Sequence, residues 1–247
     1  MRNQCELVLG RFLGQDSARG QNGEQRLIEL LGPVSHTFID VGAHIGDWTE
    51  LFLQAGGKER RGILIEPSQS SYLKLKEHYG SNPDLRLIHA AVSDREGEAE
   101  FHDEEGRGEG SSLVGSWGSH GAVLTRVRVI TVDHVAAEAG WSAVDVLKID
   151  TEGYDFRVIQ GAQQLLSERA IGIVQFEYNA PWAQAGSTLA AATSFLEGYG
   201  YQVFLLRTTG LHPFNYARWG EFYSYSNFVA VSPAMLSLVS PLIRSQI

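Results

Sequence analysis

Short apolar runs alternate with longer amphipathic segments along this chain, at intervals of about 20–35 residues. Such an alternation is typical of a parallel β-sheet whose strands are joined by crossover helices. The apolar runs predict seven strands, at residues 36–41, 62–65, 85–89, 144–149, 171–176, 202–206 and 222–231. Apolar positions with a helical period predict helices at residues 49–54, 72–79, 131–139, 153–166 and 188–199.

The last two predicted strands are connected differently from the others. The loop between them, residues 207–221, has no room for a standard crossover helix. The final strand should therefore run antiparallel to its neighbour. We expect an α/β fold with a mostly parallel seven-stranded sheet, an antiparallel last strand and helices on both faces.

The length of 247 residues and the hydrophobic fraction of 43% fit one globular α/β domain. We assign this domain to residues 36–232. Residues 1–35 are predicted to form an N-terminal helical extension, and residues 233–247 a C-terminal tail that docks onto the domain.

The alternation breaks between residues 91 and 129. Strands predicted at residues 98–102 and 123–130 enclose a glycine- and serine-rich stretch at residues 106–119. Stretches of this kind serve as lids over binding sites or are tolerated surface insertions, and the sequence leaves both interpretations open.

The formal charge narrows the range of partners. With 20 basic and 29 acidic residues the net charge is −9, whereas a partner with a phosphate backbone normally requires a basic surface. We therefore expect no nucleic-acid partner. The single cysteine, Cys5, permits no internal disulfide and fits a cytoplasmic location. The sequence predicts neither a signal peptide nor a membrane span, and it is compatible with a homo-oligomer.

A glycine turn follows the first predicted strand, where residues 40–46 read D-V-G-A-H-I-G. The turn lacks the G-x-G-x-x-G pattern that binds the pyrophosphate of dinucleotides. A carboxylate at Asp40 would repel pyrophosphate, but it could bind the ammonium group of S-adenosylmethionine, which carries no phosphate. The candidate cofactor-binding residues of this turn are Asp40, Gly42, Ala43, His44 and Gly46.

Two further segments complete the candidate cofactor site. Glu66 ends the second predicted strand, beside Pro67, and its carboxylate can accept both hydroxyls of a ribose. The turn after the third strand contains Ala91, Val92 and Asp94, which we expect near an adenine ring.

The fourth predicted strand leads into a more specific motif. Residues 147–155 read L-K-I-D-T-E-G-Y-D, and Gly161-Ala162 follow downstream. The motif resembles the signature of FkbM-type methyltransferases. The glycine turn, Glu66, the S-D-R-E-G turn at residues 93–97 and the Ser111-Ser112 pair match the same family in order, so that the resemblance spans residues 38–177. The chain departs from the family at His44, where asparagine is more common, and at Thr151, where an aliphatic residue is common.

This resemblance implies a Rossmann-like class I methyltransferase fold and S-adenosylmethionine as cofactor. It also implies O-methylation, often of the hydroxyls of sugars, polyketides or other small molecules. Methyl transfer to an alcohol is helped by a carboxylate that orients or deprotonates the hydroxyl. Asp150 is our first candidate for that role and also lies beside the cofactor site, and Glu152 is the second candidate.

A metal ion is not required by these motifs. Glu177 and Asn179 follow the fifth strand, and with Asp150 they could hold magnesium. Magnesium is compatible with this set but not favoured, and the histidines show no zinc spacing. Some of the aromatic residues in the second half should line an acceptor pocket. They are Tyr178, Trp182, Phe214, Tyr216, Trp219, Tyr223 and Tyr225.

Two other classes of protein share this predicted architecture. An NAD(P)-dependent oxidoreductase is disfavoured by the missing pyrophosphate glycines and by the reversed last strand. A non-catalytic module that only binds S-adenosylmethionine is disfavoured by the presence of all the candidate carboxylates. Methylation of RNA is disfavoured by the negative charge, and methylation of amino groups by the lack of an N-P-P-Y type motif.

Overall fold

A computed structural model of the chain describes residues 23–57, 59–104, 111–114 and 122–245. The strands are β1 (Thr37–Val41), β2 (Arg61–Ile65), β3 (Leu85–Ile88), β4 (Ala91–Val92), β5 (Gly97–Asp103), β6 (Val123–Ile130), β7 (Val144–Ile149), β8 (Ile171–Tyr178), β9 (Gln202–Arg207), β10 (Gly210–Pro213) and β11 (Ser226–Val231).

The helices alternate with these strands. They are α1 (Glu24–Leu31), α2 (Asp47–Gln54), α3 (Gln69–Tyr79), α4 (Val132–Glu138), α5 (Asp155–Gln160), α6 (Gln163–Ser167), α7 (Pro181–Gln184), α8 (Leu189–Gly198), α9 (Tyr216–Trp219) and α10 (Leu236–Val239). Short 3₁₀ turns occupy Gly32–Val34, Pro233–Met235 and Ser240–Leu242.

Within the described residues, eight strands form the main sheet in the order β10-β9-β11-β8-β7-β1-β2-β3. Strands β3, β2, β1, β7 and β8 pair in parallel, whereas β11 is antiparallel to both β8 and β9. Because the parallel strands share one direction, their carboxyl ends meet at one edge of the sheet. This topology confirms the predicted α/β, Rossmann-like fold with a mostly parallel sheet and an antiparallel last strand.

The strand count and the start of the last strand differ from the prediction. Gly210–Pro213 adds an eighth strand that pairs antiparallel with β9 through a two-residue turn. This segment is too short to show an apolar period, and its proline is tolerated because β10 is an edge strand. The last strand begins at Ser226 rather than at residue 222, because Tyr223 has a φ of +47° and interrupts the extended backbone.

The helix predicted at residues 153–166 consists of two helices, α5 and α6. The break falls at Gly161, where an added Cβ would lie 2.1 Å from the carbonyl oxygen of Ser93. The amide N–H of Asp133 also donates a hydrogen bond to the carbonyl of Gly161. The chain is held against its neighbours at this point, and the helix cannot run straight through it.

Helices cover both faces of the main sheet, as predicted, because the side chains of each strand alternate in direction. Ile39 and Val41 of β1 belong to one buried cluster, together with residues of α4, α5, α6 and α8. Phe38 belongs to a second buried cluster with residues of α1, α2 and α3. Strands β4, β6 and β5 form a second, three-stranded sheet from the segment in which the alternation breaks.

The predicted division into domain, extension and tail stays a prediction. Most of the proposed extension, residues 1–22, lies outside the described residues, as does most of the glycine-rich stretch at 106–119. In the tail, Ile243 forms a bridge with Leu211 of β10. Throughout the part of the chain that the structure describes, no helix is both long and apolar enough to cross a lipid bilayer.

The turn after β1 touches the end of β7. Gly42 has a φ of +76°, and a Cβ on it would lie 1.8 Å from the carbonyl oxygen of Asp150. The amide N–H of Asp150 donates in turn to the carbonyl oxygen of Val41, at 2.9 Å. Glycine is required here both by the backbone conformation and by the close approach. The glycine turn and the K-I-D-T-E-G motif are therefore in direct contact.

We expect Gly42→Ala to lower the free energy of unfolding by more than about 2 kcal/mol, because a left-handed backbone and a backbone clash both oppose the new methyl group. Gly57→Ala is the matched control, since a Cβ on Gly57 meets no atom within 4 Å. The control should change stability by less than about 0.5 kcal/mol. Urea denaturation measures both changes, and equal stability of the two variants would contradict the close contact.

Candidate functional site

A cavity of about 930 Å³ opens at the carboxyl edge of the parallel strands. Open α/β sheets bind their ligands at this edge, and the volume lies at the upper end of ordinary ligand pockets. The residues predicted from the sequence that line the cavity are Gly42, Ala43, His44, Glu66, Pro67, Ala91, Val92, Asp150 and Glu152. One cavity therefore brings together the glycine turn, the end of β2, the segment after β3 and the end of β7.

Glu66 is fixed in the wall by the backbone. Its two carboxylate oxygens accept hydrogen bonds from the amide N–H groups of His44, at 2.8 Å, and Ser68, at 2.7 Å. Burial raises the pKa of Glu66 to about 7, although the two hydrogen bonds oppose the shift. His44 has a φ of +52°, which turns its amide toward the carboxylate. The glycine turn and Glu66 form one hydrogen-bonded unit.

Asp40 lies away from the cavity, contrary to the contact expected from the sequence. Its side chain is fully buried, and it is absent from the described cavity wall. One oxygen accepts a hydrogen bond from the Thr49 hydroxyl at 2.7 Å, and the other lies 3.7 Å from Nζ of Lys148. Burial raises the pKa of Asp40. The expectation that Asp40 contacts an ammonium group in the cavity is revised for this reason.

Gly46 and Asp94 also lie off the described cavity wall. Gly46, with a φ of +93°, is the N-cap residue before α2, and its carbonyl oxygen accepts a hydrogen bond from the Tyr79 hydroxyl at 3.1 Å. Asp94 lies 3.4 Å from the guanidinium of Arg157. These two residues shape the turns around the cavity, and their contacts with a cofactor stay a prediction.

Lys148 is a functional candidate that sequence analysis left without a role. It is buried and lines the cavity, and its Nζ lies 3.1 Å from Oδ2 of Asp150 and 3.7 Å from Oδ1 of Asp40. Burial alone would lower the pKa of Lys148, but attraction by Asp150, Asp40 and Glu24 raises it above the ordinary value. The lysine is therefore a fixed positive charge between two carboxylates of neighbouring strands.

Three carboxylates converge on the far side of the cavity from Glu66. Asp150, Glu152 and Glu177 each offer one oxygen, and these oxygens lie within 4.8 Å of one another. Nδ2 of Asn179 donates hydrogen bonds to Glu177 at 2.6 Å and to Glu152 at 3.2 Å. Burial, followed by repulsion from Asp150, Glu152 and Asp155, raises the pKa of Glu177 well above its usual range. We call these four residues, Asp150, Glu152, Glu177 and Asn179, the carboxylate cluster.

The backbone around Glu152 is held in an uncommon conformation. Glu152 has a φ of +50° and Gly153 a φ of +111°. The Ser112 hydroxyl donates to the carbonyl oxygen of Glu152 at 2.8 Å. Fully buried Asp155 accepts hydrogen bonds from the amides of Gly153 and Glu177, and burial raises its pKa to about 7. These contacts tie the loop after β7 to the end of β8.

The first turn of α1 contributes a wall that the sequence did not predict. Glu24, Gln25 and Ile28 line the cavity. A hydrogen bond of 2.5 Å from Gln175 of β8 to Glu24 fixes this turn against the sheet. The sequence of an amphipathic helix before the first strand does not indicate that part of the helix lines the cavity.

Two of the seven aromatic candidates line the cavity, namely Tyr223 and Tyr225. Tyr178 and Trp182 are instead fully buried in the core. The Tyr178 hydroxyl accepts hydrogen bonds from two backbone amides, one of them from Tyr223 at 3.0 Å. Tyr178 therefore positions the segment that carries the two cavity tyrosines.

Comparisons with known proteins identify relatives of this chain. The sequence model of the methyltransferase FkbM domain matches residues 40–203. The 2-O-methyltransferase NoeI of Sinorhizobium fredii is 25% identical over 158 residues, which cover 58% of this chain and 64% of that protein. The chain therefore matches slightly less than two thirds of the length of this curated relative.

Solved structures with a similar arrangement include a methyltransferase FkbM from Methylobacillus flagellatus. It is 15% identical with a TM-score of 0.49, covering 79% of this chain and 43% of that one. The fibrillarin of Aeropyrum pernix, solved with natively bound S-adenosyl-L-methionine, is 10% identical with a TM-score of 0.43. That match covers 92% of this chain and 74% of the fibrillarin.

Proposed function

The chain belongs to the methyltransferase FkbM domain family, and on this premise we propose that it transfers a methyl group from S-adenosylmethionine to a hydroxyl of a small-molecule, sugar or polyketide-type acceptor. The observation that carries the proposal is the division of one cavity into two parts. Glu66 and the glycine turn form one part, and the carboxylate cluster forms the other.

The chemistry of the wall suits this cofactor. Glu66 presents a carboxylate that two ribose hydroxyls can approach, since each oxygen keeps a lone pair beyond its backbone hydrogen bond. Seven of the described residues that line the cavity are acidic. Lys148 also lines it and is the lysine of this wall. Such a wall repels the pyrophosphate of a dinucleotide and attracts a cofactor with ammonium and sulfonium groups. The NAD(P)-dependent alternative is disfavoured on the same ground.

S-adenosylmethionine supplies an electrophilic methyl group on sulfur. For this chain we assign the adenosyl part to Gly42, His44, Glu66, Ala91 and Val92. These residues would bind and orient the adenosyl group. The residues that act on the acceptor lie on the opposite wall of the cavity.

On that opposite wall we assign the acceptor to Asp150, with Glu152 as the second candidate. The side chain of Asp150 is 38% exposed, and its contact with Lys148 fixes the direction of the carboxylate. A carboxylate so fixed can accept the proton of an acceptor hydroxyl as the oxygen attacks the methyl carbon. The relative NoeI is named a 2-O-methyltransferase, which agrees with a hydroxyl acceptor.

We expect calorimetry to detect binding of S-adenosylhomocysteine but not of NADP. Glu66→Ala should weaken that binding roughly tenfold to a hundredfold, since charge-assisted hydrogen bonds contribute about 1.5–3 kcal/mol. Because burial raises the pKa of Glu66 to about 7, the affinity of the unaltered protein should rise between pH 6 and pH 8. This rise should disappear in the variant.

Glu50→Ala is the control for that measurement, because Glu50 is an exposed glutamate on the same cavity wall. It should bind S-adenosylhomocysteine nearly as the unaltered protein does. Binding of NADP without binding of S-adenosylhomocysteine would reject the proposal.

Asp150→Asn should reduce turnover by about 10²–10⁴-fold, because it keeps the shape but removes the basic carboxylate. Binding of S-adenosylhomocysteine should change much less than in Glu66→Ala. The measurement follows transfer of a labelled methyl group to hydroxyl-bearing sugars and phenols. Turnover close to normal would shift the role to Glu152 or to positioning alone. A non-catalytic module would instead bind cofactor and methylate none of the acceptors.

A further inference from the structure

The spacing within the carboxylate cluster is that of ligands around a metal ion. Oxygens of Asp150, Glu152 and Glu177 lie within 4.8 Å of one another. Oxygen ligands bind magnesium or calcium at about 2.0–2.6 Å, so two ligands of one ion lie at most about 4–5 Å apart. Magnesium allows at most about 4.2 Å, so small rotations of these side chains would bring the three oxygens to a common ion.

Asn179 provides an independent indication. The residue is 7% exposed, and its amide is directed at the cluster, with Nδ2 in contact with Glu152 and Glu177. Its Oδ1 is buried and has no hydrogen-bond partner. Most buried acceptors in proteins have a partner, and those without one require an explanation. Rotation of the amide would exchange its two ends, so that Oδ1 could become a fourth oxygen facing the carboxylates once an ion replaces the two contacts of Nδ2.

The charges in this region also favour a cation. Glu177 is 5% exposed, and its carboxylate lies close to those of Asp150 and Glu152. Carboxylates this close together, one of them buried, must take up protons or gain a positive partner. Lys148 is shared between Asp150 and Asp40, and no hydrogen bond of the described residues joins it to Glu177. A bound divalent ion would compensate the negative charge that remains.

The loops that carry the cluster are held before any ligand arrives. Ser112 fixes the backbone of Glu152, and Asp155 binds the amides of both Gly153 and Glu177. A site whose ligands are fixed by neighbouring hydrogen bonds loses little conformational freedom on binding. The cluster has the rigidity that a metal site requires.

We propose that Asp150, Glu152, Glu177 and Asn179 bind one divalent cation of the oxygen-preferring class, magnesium or manganese. The sequence alone allowed this ion but did not favour it, because two of the three ligands came from a two-residue spacing and the family resemblance does not require a metal. Binding of the ion is independent of the proposed function. Its role rests on that function: at this place the ion would hold the acceptor hydroxyl oxygen beside Asp150 and ease loss of its proton.

The test uses Mn²⁺ as a paramagnetic probe on the full chain after removal of metals by a chelator. Electron paramagnetic resonance should detect one Mn²⁺ bound per chain, displaced by excess Mg²⁺. Glu177→Gln should weaken Mn²⁺ binding at least about tenfold, since even residues that only support metal ligands contribute 10–100-fold. Asn179→Ala should weaken it in the same direction. Glu50→Gln removes the same charge from the cavity wall outside the cluster and should leave binding unchanged.

Thermal unfolding provides a second measurement of Mn²⁺ binding. Mn²⁺ should raise the melting temperature of the unaltered protein and of Glu50→Gln, but not that of Glu177→Gln. Absence of Mn²⁺ binding at millimolar concentration, or equal binding by Glu177→Gln and the unaltered protein, would overturn the proposal. Calorimetry with S-adenosylhomocysteine on the same samples distinguishes the two assignments. The protein can bind Mn²⁺ without binding S-adenosylhomocysteine, or bind S-adenosylhomocysteine without binding Mn²⁺.

Discussion

Lys148 connects the parts of this site. Its ammonium group lies between Asp40 on β1 and Asp150 at the end of β7, two carboxylates of neighbouring strands. A buried lysine is costly unless it is paired, and the buried carboxylate of Asp40 and the partly exposed carboxylate of Asp150 would repel each other without it. The adjacent contact of Gly42 with the Asp150 carbonyl fixes the same two strand ends. Together these contacts join the glycine turn to the end of β7.

Under the proposed function, one cavity would hold both the cofactor and the acceptor. Glu66 is fixed by amides of the glycine turn, and the carboxylate cluster is fixed by Ser112 and Asp155. For a methyl transfer, in which the acceptor oxygen must approach one carbon in line, such fixed walls contribute through positioning. The acidic surface between them favours ligands that carry positive charge.

Much of this could be predicted from the sequence, because apolar runs and glycine turns report local structure directly. The parallel sheet, the reversed last strand and the meeting of Glu66 with the glycine turn follow from these patterns. Asp40 shows where prediction from the sequence fails. It adjoins the turn in sequence, but side chains alternate along a strand, and Asp40 points with Phe38 toward α2, where Thr49 binds it. The position of Asp40 in the sequence did not predict the direction of its side chain.

Other features depend on contacts between distant segments. The contact of Asn179 with Glu152 arises only when β7 and β8 lie side by side. The wall formed by the first turn of α1 requires packing against Gln175. One sequence contains no local signal for such contacts, whereas the K-I-D-T-E-G motif predicted the family but not the role of its lysine.

The most direct test of the account is a crystal structure of the chain with S-adenosylhomocysteine. We expect the two ribose hydroxyls at the Glu66 carboxylate, the adenine beside Ala91 and Val92, and the sulfur facing Asp150. A complex with the nucleoside bound outside this cavity, or with the ribose turned away from Glu66, would contradict it.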